Sequence, residues 1–155
     1  MILTTTKVLP AAANYTAEDV VSESATVGTA WEFGPIRLRS DGNGIVTYAN
    51  ILFDEDAVTA VYHLDLFTAD PSTSELNDNV AADLSAADAL NKVGTVIFPA
   101  CTDKGDVADA LKESYIGFQL PPGATTLYGI LRDTSGETLE TAGMSCTIKL
   151  HVEDV

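Results

Sequence analysis

The chain reads as an all-β protein, an antiparallel β-sandwich or jelly roll with one or two short helices in its loops. Three observations predict this. Apolar and polar residues alternate with period two in several segments, as half-buried strands require. Clusters of Gly, Pro, Asp and Ser separate those segments at short intervals. Helical periodicity is confined to two short runs. Seven or eight short strands so spaced belong to a sandwich or jelly roll.

The elements follow in order. Residues 2–9 suit an edge strand. In residues 30–39, Trp31 and Phe33 share one parity and Ile36 and Leu38 the other, so a bend is expected at Gly34-Pro35. Asp41-Gly42-Asn43-Gly44 has the composition of a tight hairpin turn leading into a strand at 45–53. In residues 61–67, Tyr62, Leu64 and Leu66 face a core, and His63 and Asp65 face outward to solvent. Ser85-Ala86-Ala87-Asp88 has capping-box form and opens a short helix. Residues 94–98 and 125–131 are apolar and rich in β-formers. Residues 106–113, with Val107, Ala110 and Leu111, read as a second short helix, and Ile116, Phe118 and Leu120 alternate as a strand after it. Pro121-Pro122-Gly123 and Asp133-Thr134-Ser135-Gly136 are turns. The last strand has the cleanest pattern, with Cys146, Ile148, Leu150 and Val152 on the core side.

With 155 residues the chain can bury a real core as one domain. Eight Lys and Arg against 23 Asp and Glu leave a net charge of −15. Such a surface repels nucleic acid and anionic lipid, which excludes both as partners, and favours solubility. No stretch approaches the roughly 18 apolar residues of a membrane span. The first residues, Met1 to Lys7, lack the apolar core of a signal peptide, so the Asn14-Tyr15-Thr16 sequon carries no weight. Cys101 and Cys146 match no metal or redox spacing and are expected as thiols.

The sequence holds no recognisable catalytic, cofactor or metal site, and the expectation is a binding protein rather than an enzyme. Asp133-Thr134-Ser135-Gly136 lacks the Gly that an aspartic-protease loop has after Thr or Ser. His63 and His151 form no close pair on one strand. No G-x-S-x-G elbow occurs. Asp54-Glu55-Asp56 and Asp78-Asn79 do not follow a calcium-loop spacing and read as solvated acidic turns.

Residues 1–28 read as an N-terminal arm or edge segment, and 29–155 as the sandwich domain. Tyr15, Val20 and Val21 are too apolar for a stretch in open solvent. Pro10 and the alanines after it suit an extended arm that buries them against a neighbouring chain. An irregular first strand and loop packing on the chain's own sandwich is the equal alternative.

Two stretches resemble a known group. One is Asn14-Tyr15-Thr16-Ala17-Glu18-Asp19-Val20-Val21, followed by Gly42-Asn43-Gly44-Ile45-Val46. The other runs from Leu64-Asp65-Leu66-Phe67 through Pro71-Ser72-Thr73-Ser74 and Asp78-Asn79 to Ser85-Ala86-Ala87-Asp88 and Val93-Gly94-Thr95-Val96. Together they resemble small structural proteins of tailed bacteriophages of the capsid decoration, or cement, type. That pattern runs Y-x-x-G-D-V-V, a Gly-rich turn, L-x-L-F-x-x-x-P-x-x-S-T-x-x-D-N, a short S-x-A-D helix and G-x-V. Glu18 stands where the pattern has Gly. The resemblance spans about residues 14–98. It implies a jelly-roll-like protein made in the host cytoplasm and bound to the outside of the virion capsid. Its partners would be the major capsid protein and its own copies, a trimer ahead of a dimer. Another virion role (head–tail or tail) and a carbohydrate-binding β-sandwich module are the alternatives.

Overall fold

The computed structural model describes residues 1–10, 14–39, 42–55, 57–136 and 143–155. Their strands are β1 (Ile2–Val8), β2 (Asp19–Val20), β3 (Trp31–Phe33), β4 (Asn43–Phe53), β5 (Tyr62–Phe67), β6 (Lys92–Ile97), β7 (Thr102–Asp103), β8 (Ala108–Gln119), β9 (Leu127–Asp133) and β10 (Ser145–Asp154). One short helix, α1 (Ala86–Ala89), lies between β5 and β6.

The strands form two antiparallel sheets. The first has the order β1-β10-β4-β8-β7, and the second β2-β9-β5-β6, with β3 also paired to β9. Taking β2 and β3 as one broken position and β7 as a short addition, each sheet has four places. The chain crosses between sheets at every connection except β5 to β6, β2 to β3 and β7 to β8. That is the winding of a jelly roll, the form the resemblance implies; the alternation predicts only the sandwich.

The core lies between the two inner faces. Cys146, Ile148, Leu150 and Val152 all point into it from β10. Leu150 is flanked on its rung by Leu3 of β1 and Ala49 of β4. Trp31, Phe33, Phe53, Tyr62 and Phe98 fill the large volumes, and Cys101 and Cys146 are buried thiols in the same cluster. The Trp31 indole N–H donates to the Val21 carbonyl at 3.0 Å, so its polar edge is satisfied inside. Residues 2–9 take the edge form: β1 pairs with β10 along its length, and Leu3 and Leu9 enter the common core.

Three local expectations change. Residues 106–113 are not helical. Residues 108–113 enter β8, because β4 supplies register partners from Asn43 opposite Gln119 to Phe53 opposite Ala108. A long pairing of this kind overrides the helix propensity of Ala, Leu, Lys and Glu. The turn before residue 45 does not close a hairpin, because β3 pairs with β9 and β4 lies in the other sheet. Of that turn, residues 40 and 41 fall outside the described set. Gly42 takes φ +67°, and a Cβ there would sit 2.9 Å from the Leu120 carbonyl oxygen, so the position requires Gly.

The third change concerns β5. His63 and Asp65 do point away from the sandwich core, but Asp65 is buried. Residues 68–91 fold back over the outer face of the second sheet. They cover Val20, Phe67 and Ile130, with Leu76, Ala82 and Tyr128 packed around them as a second small core.

One buried cation ties β1 to the loop after β2. The Lys7 ammonium lies 5.3 Å from the Trp31 ring centroid, is 3.1 Å from Thr29 Oγ1, and pairs with Glu23. Burial opposes ionisation of Glu23, but hydrogen bonds from Lys7, Ser22 and Thr29 outweigh it and hold the carboxyl at about 2. A folded-state pKa below the unfolded value contributes stability at neutral pH that is lost as pH falls. Denaturant titrations of wild type and Glu23→Gln should therefore converge as pH falls from about 4.5 toward 2. A gap between them that stays constant over that range would remove this pair from the acid response.

Candidate interaction surfaces

Tyr15, Val20 and Val21 all point into this chain and none of them outward. The Tyr15 hydroxyl donates to Asp78 Oδ1 at 2.7 Å, and the Ser22 N–H donates to the same oxygen at 2.8 Å. Val20 packs in the second core and Val21 in the main one. The three residues thus offer no exposed side chain to a neighbour or a capsid. Their apolar character is used at home.

Asp78 is no solvated turn either. It is 2 % exposed, and burial raises both its carboxyl pKa and that of the Tyr15 phenol. Glu55 is also buried, and Asp56 lies outside the described residues. Asp78→Ala would orphan two buried donors, at about 1–3 kcal/mol each, while Asp78→Asn keeps an acceptor without the buried charge. The expected result in urea titration is a clear loss for Ala and near-native stability for Asn. Equal stability of Ala and wild type would show that the bonds are immaterial.

The residues that carry the phage-protein resemblance are bonded to one another. Thr16 to Asp19 form a β-turn closed by the Asp19 N–H on the Thr16 carbonyl at 3.1 Å. The Asp19 carboxylate accepts from the Thr16 N–H at 2.6 Å and hydroxyl at 2.9 Å. Glu18 occupies the third turn position with φ +75°, the left-handed region that favours Gly. This is the position at which the pattern has Gly. Asn79 also has positive φ, its N–H donates to the Val20 carbonyl at 2.8 Å, and the Val20 N–H donates to the Val80 carbonyl at 2.9 Å. With its amide oriented to donate, Asn79 also reaches Asp19 Oδ2 at 3.1 Å. Ser85 caps α1 by accepting from the Asp88 N–H at 3.1 Å. Asp88 does not reach back to complete a capping box. Its Oδ2 accepts from the Thr73 hydroxyl at 2.8 Å and the Ser74 hydroxyl at 2.7 Å, tying the helix to the preceding loop.

Beside this unit lies a cavity of about 310 Å³ lined by Glu18, Asp65, Glu75, Asp83, Lys92 and Arg132, among others. Asp65 pairs with Lys92 at 2.7 Å and Arg132 at 3.2 Å, and Arg132 also pairs with Glu18. Burial pushes the Asp65 carboxyl up, but hydrogen bonds from Lys92 and Thr95 and the Arg132 charge hold it below the ordinary range. Glu18, Asp65, Lys92 and Arg132 thus form one structural ion-pair network, and Glu75 and Asp83 add two further carboxylates to the lining. Among the described residues no group of three or more His, Cys, Asp or Glu could hold a metal ion. The Asp133 loop behaves as the turn chemistry predicts: its Oδ1 accepts from the N–H groups of Ser135 at 2.8 Å and Gly136 at 2.9 Å. No helix among the described residues is long and apolar enough to cross a membrane.

The outer face of the first sheet is different in character. Its rungs read Ile2–His151–Tyr48–Glu113, Thr4–Lys149–Asn50–Leu111 and Thr6–Thr147–Leu52–Asp109. Tyr48 meets His151 edge-on with ring centroids 5.5 Å apart. Leu111 is exposed, and Tyr115, further along β8, is 76 % exposed. These rungs hold one Lys against one Asp and one Glu, so the face carries little of the net charge of −15.

No protein-family model matches the chain. No curated protein matches it. Solved structures that are similar include PRD1 vertex protein P5, at 11 % identity over 96 % of this chain and 95 % of that one, with TM-score 0.35. The structure of tomato aspermy virus is similar at 10 % identity over 100 % and 78 %, with TM-score 0.36. A mannan-recognising carbohydrate-binding module is similar at 10 % identity over 88 % and 72 %, with TM-score 0.37.

Proposed function

We propose that the chain is a capsid decoration protein of a tailed bacteriophage. It binds the outside of the major capsid protein shell as a homo-oligomer and stabilises that shell, without catalysing a reaction. The observation that carries this reading is Glu18. It departs from the resembled pattern at its Gly, and it sits at the one turn position whose φ of +75° calls for Gly. A left-handed backbone at the position where the pattern has Gly supports the reading. Tyr15, Asp19, Asp78, Asn79, Ser85 and Asp88 bond within the same unit. The weakly charged outer face of the first sheet is the surface offered to the shell, and the acidic remainder steers approach.

The test is to mix the purified protein with capsids stripped of accessory proteins and follow co-sedimentation, with its mass in solution measured alongside. Saturable binding that raises capsid melting is expected. Association should slow as salt shrinks the Debye length below about 10 Å. Failure to bind any stripped capsid, together with a monomer mass, would sink the reading.

A second reading, a carbohydrate-binding module, draws on Tyr48, His151 and Tyr115, which share the outer face of the first sheet. Trp31 does not contribute, since it is in the core. Retention on a glycan array that Tyr115→Ala abolishes would favour it.

A further inference from the structure

At one end of the sandwich, the segment after β3 and the turn between β8 and β9 enclose a cleft of about 620 Å³. Ile36, Leu38, Leu120 and Pro121 give it apolar walls, and Arg37 and Arg39 stand beside them. These are two of the three arginines in a chain of net charge −15. The described residues that line the cleft include no carboxylate. Arg37 and Arg39 are both exposed, with half-buried Leu38 between them. Ile36 is buried, anchored by its N–H on the Thr125 carbonyl.

Arg39 meets Asp154 at 3.3 Å, but its side chain is 88 % exposed, so the pair is weak and exchangeable. Arg37 is exposed as well. Planar guanidinium groups engage carboxylates, like phosphates, through two parallel hydrogen bonds. A cleft of several hundred cubic ångströms with apolar walls and a few convergent polar groups has the form of a binding site.

We infer that this cleft binds an acidic peptide segment of a partner protein, with carboxylates on Arg37 and Arg39 and apolar side chains on Leu38 and Pro121. Carboxylates at alternate positions of an extended peptide lie on one side of it, which suits a site with two cationic groups. The inference is independent of whether the partner is a capsid shell. It also opposes the overall charge, because a chain at −15 repels an acidic peptide everywhere except at a local cationic site.

The probe is a short fluorescein-labelled peptide of alternating Glu and Leu, with a Gln–Leu peptide as its uncharged counterpart. Binding is followed by fluorescence anisotropy on the full chain, and the site by amide chemical shifts. The Glu peptide should bind about tenfold more tightly than the Gln peptide, with shifts at Arg37, Leu38, Gln119 and Ala124. The double variant R37E/R39E should lose that preference while keeping its melting temperature, since both side chains are exposed. Equal binding of the two peptides, an unchanged preference in the double variant, or shifts confined to other faces would overturn the inference. If the double variant melts early, the single Arg37→Gln variant serves, with partial loss of preference expected and none overturning the claim.

Discussion

Deleting residues 1–13 should leave a chain that does not reach the native fold. The deletion removes β1, which pairs with β10 from Ile2 opposite His151 to Val8 opposite Ser145. It takes Leu3 and Leu9 out of the main core, at about 1.5–3 kcal/mol for each buried leucine. It also strips Glu23 of the Lys7 ammonium and leaves Trp31 without that cation above its ring. Against a total stability of about 5–15 kcal/mol, these losses together are decisive. The expected observation is a loss of near-ultraviolet dichroism and of dispersed amide resonances. A truncated protein that melts where the intact one does would make the segment an arm whose contacts lie on another molecule.

Leu150→Ala should cost about 2–5 kcal/mol, because the cavity left behind cannot close. Leu150 is fully buried, with Leu3 beside it on one strand and Ala49 on the other. Ala49 is too small to fill the gap, and the sheet holds both neighbours in register. For a domain of this size the melting temperature should fall by about 5–15 °C. Lys149→Ala, one residue away on the outer face, is the control and should move it by no more than about 1–2 °C. Similar melting of the two variants would place the strand's core face wrongly.

The sequence by itself determined the fold class and the inward faces of several strands. Alternation over residues 145–152 identified Cys146, Ile148, Leu150 and Val152 as core, and Tyr62, Leu64 and Leu66 were equally legible. A period of two is a local property, and burial of one face follows from it directly. Ser85 was legible as a cap for the same reason, since its partner is three residues away. Only the tertiary structure decided which strands pair, and pairing turned residues 108–113 from a helical pattern into half of β8. It also decided the fate of outward-facing groups. Asp65 points away from the core as its parity says, yet the loop that buries it begins three residues later and returns from far along the chain. Tyr15 and Asp78 are 63 residues apart, and nothing near either one signals the bond. Period and capping depend on neighbours in sequence. Layering, ion pairing and the cleft at Arg37 depend on groups brought together only by the folded chain.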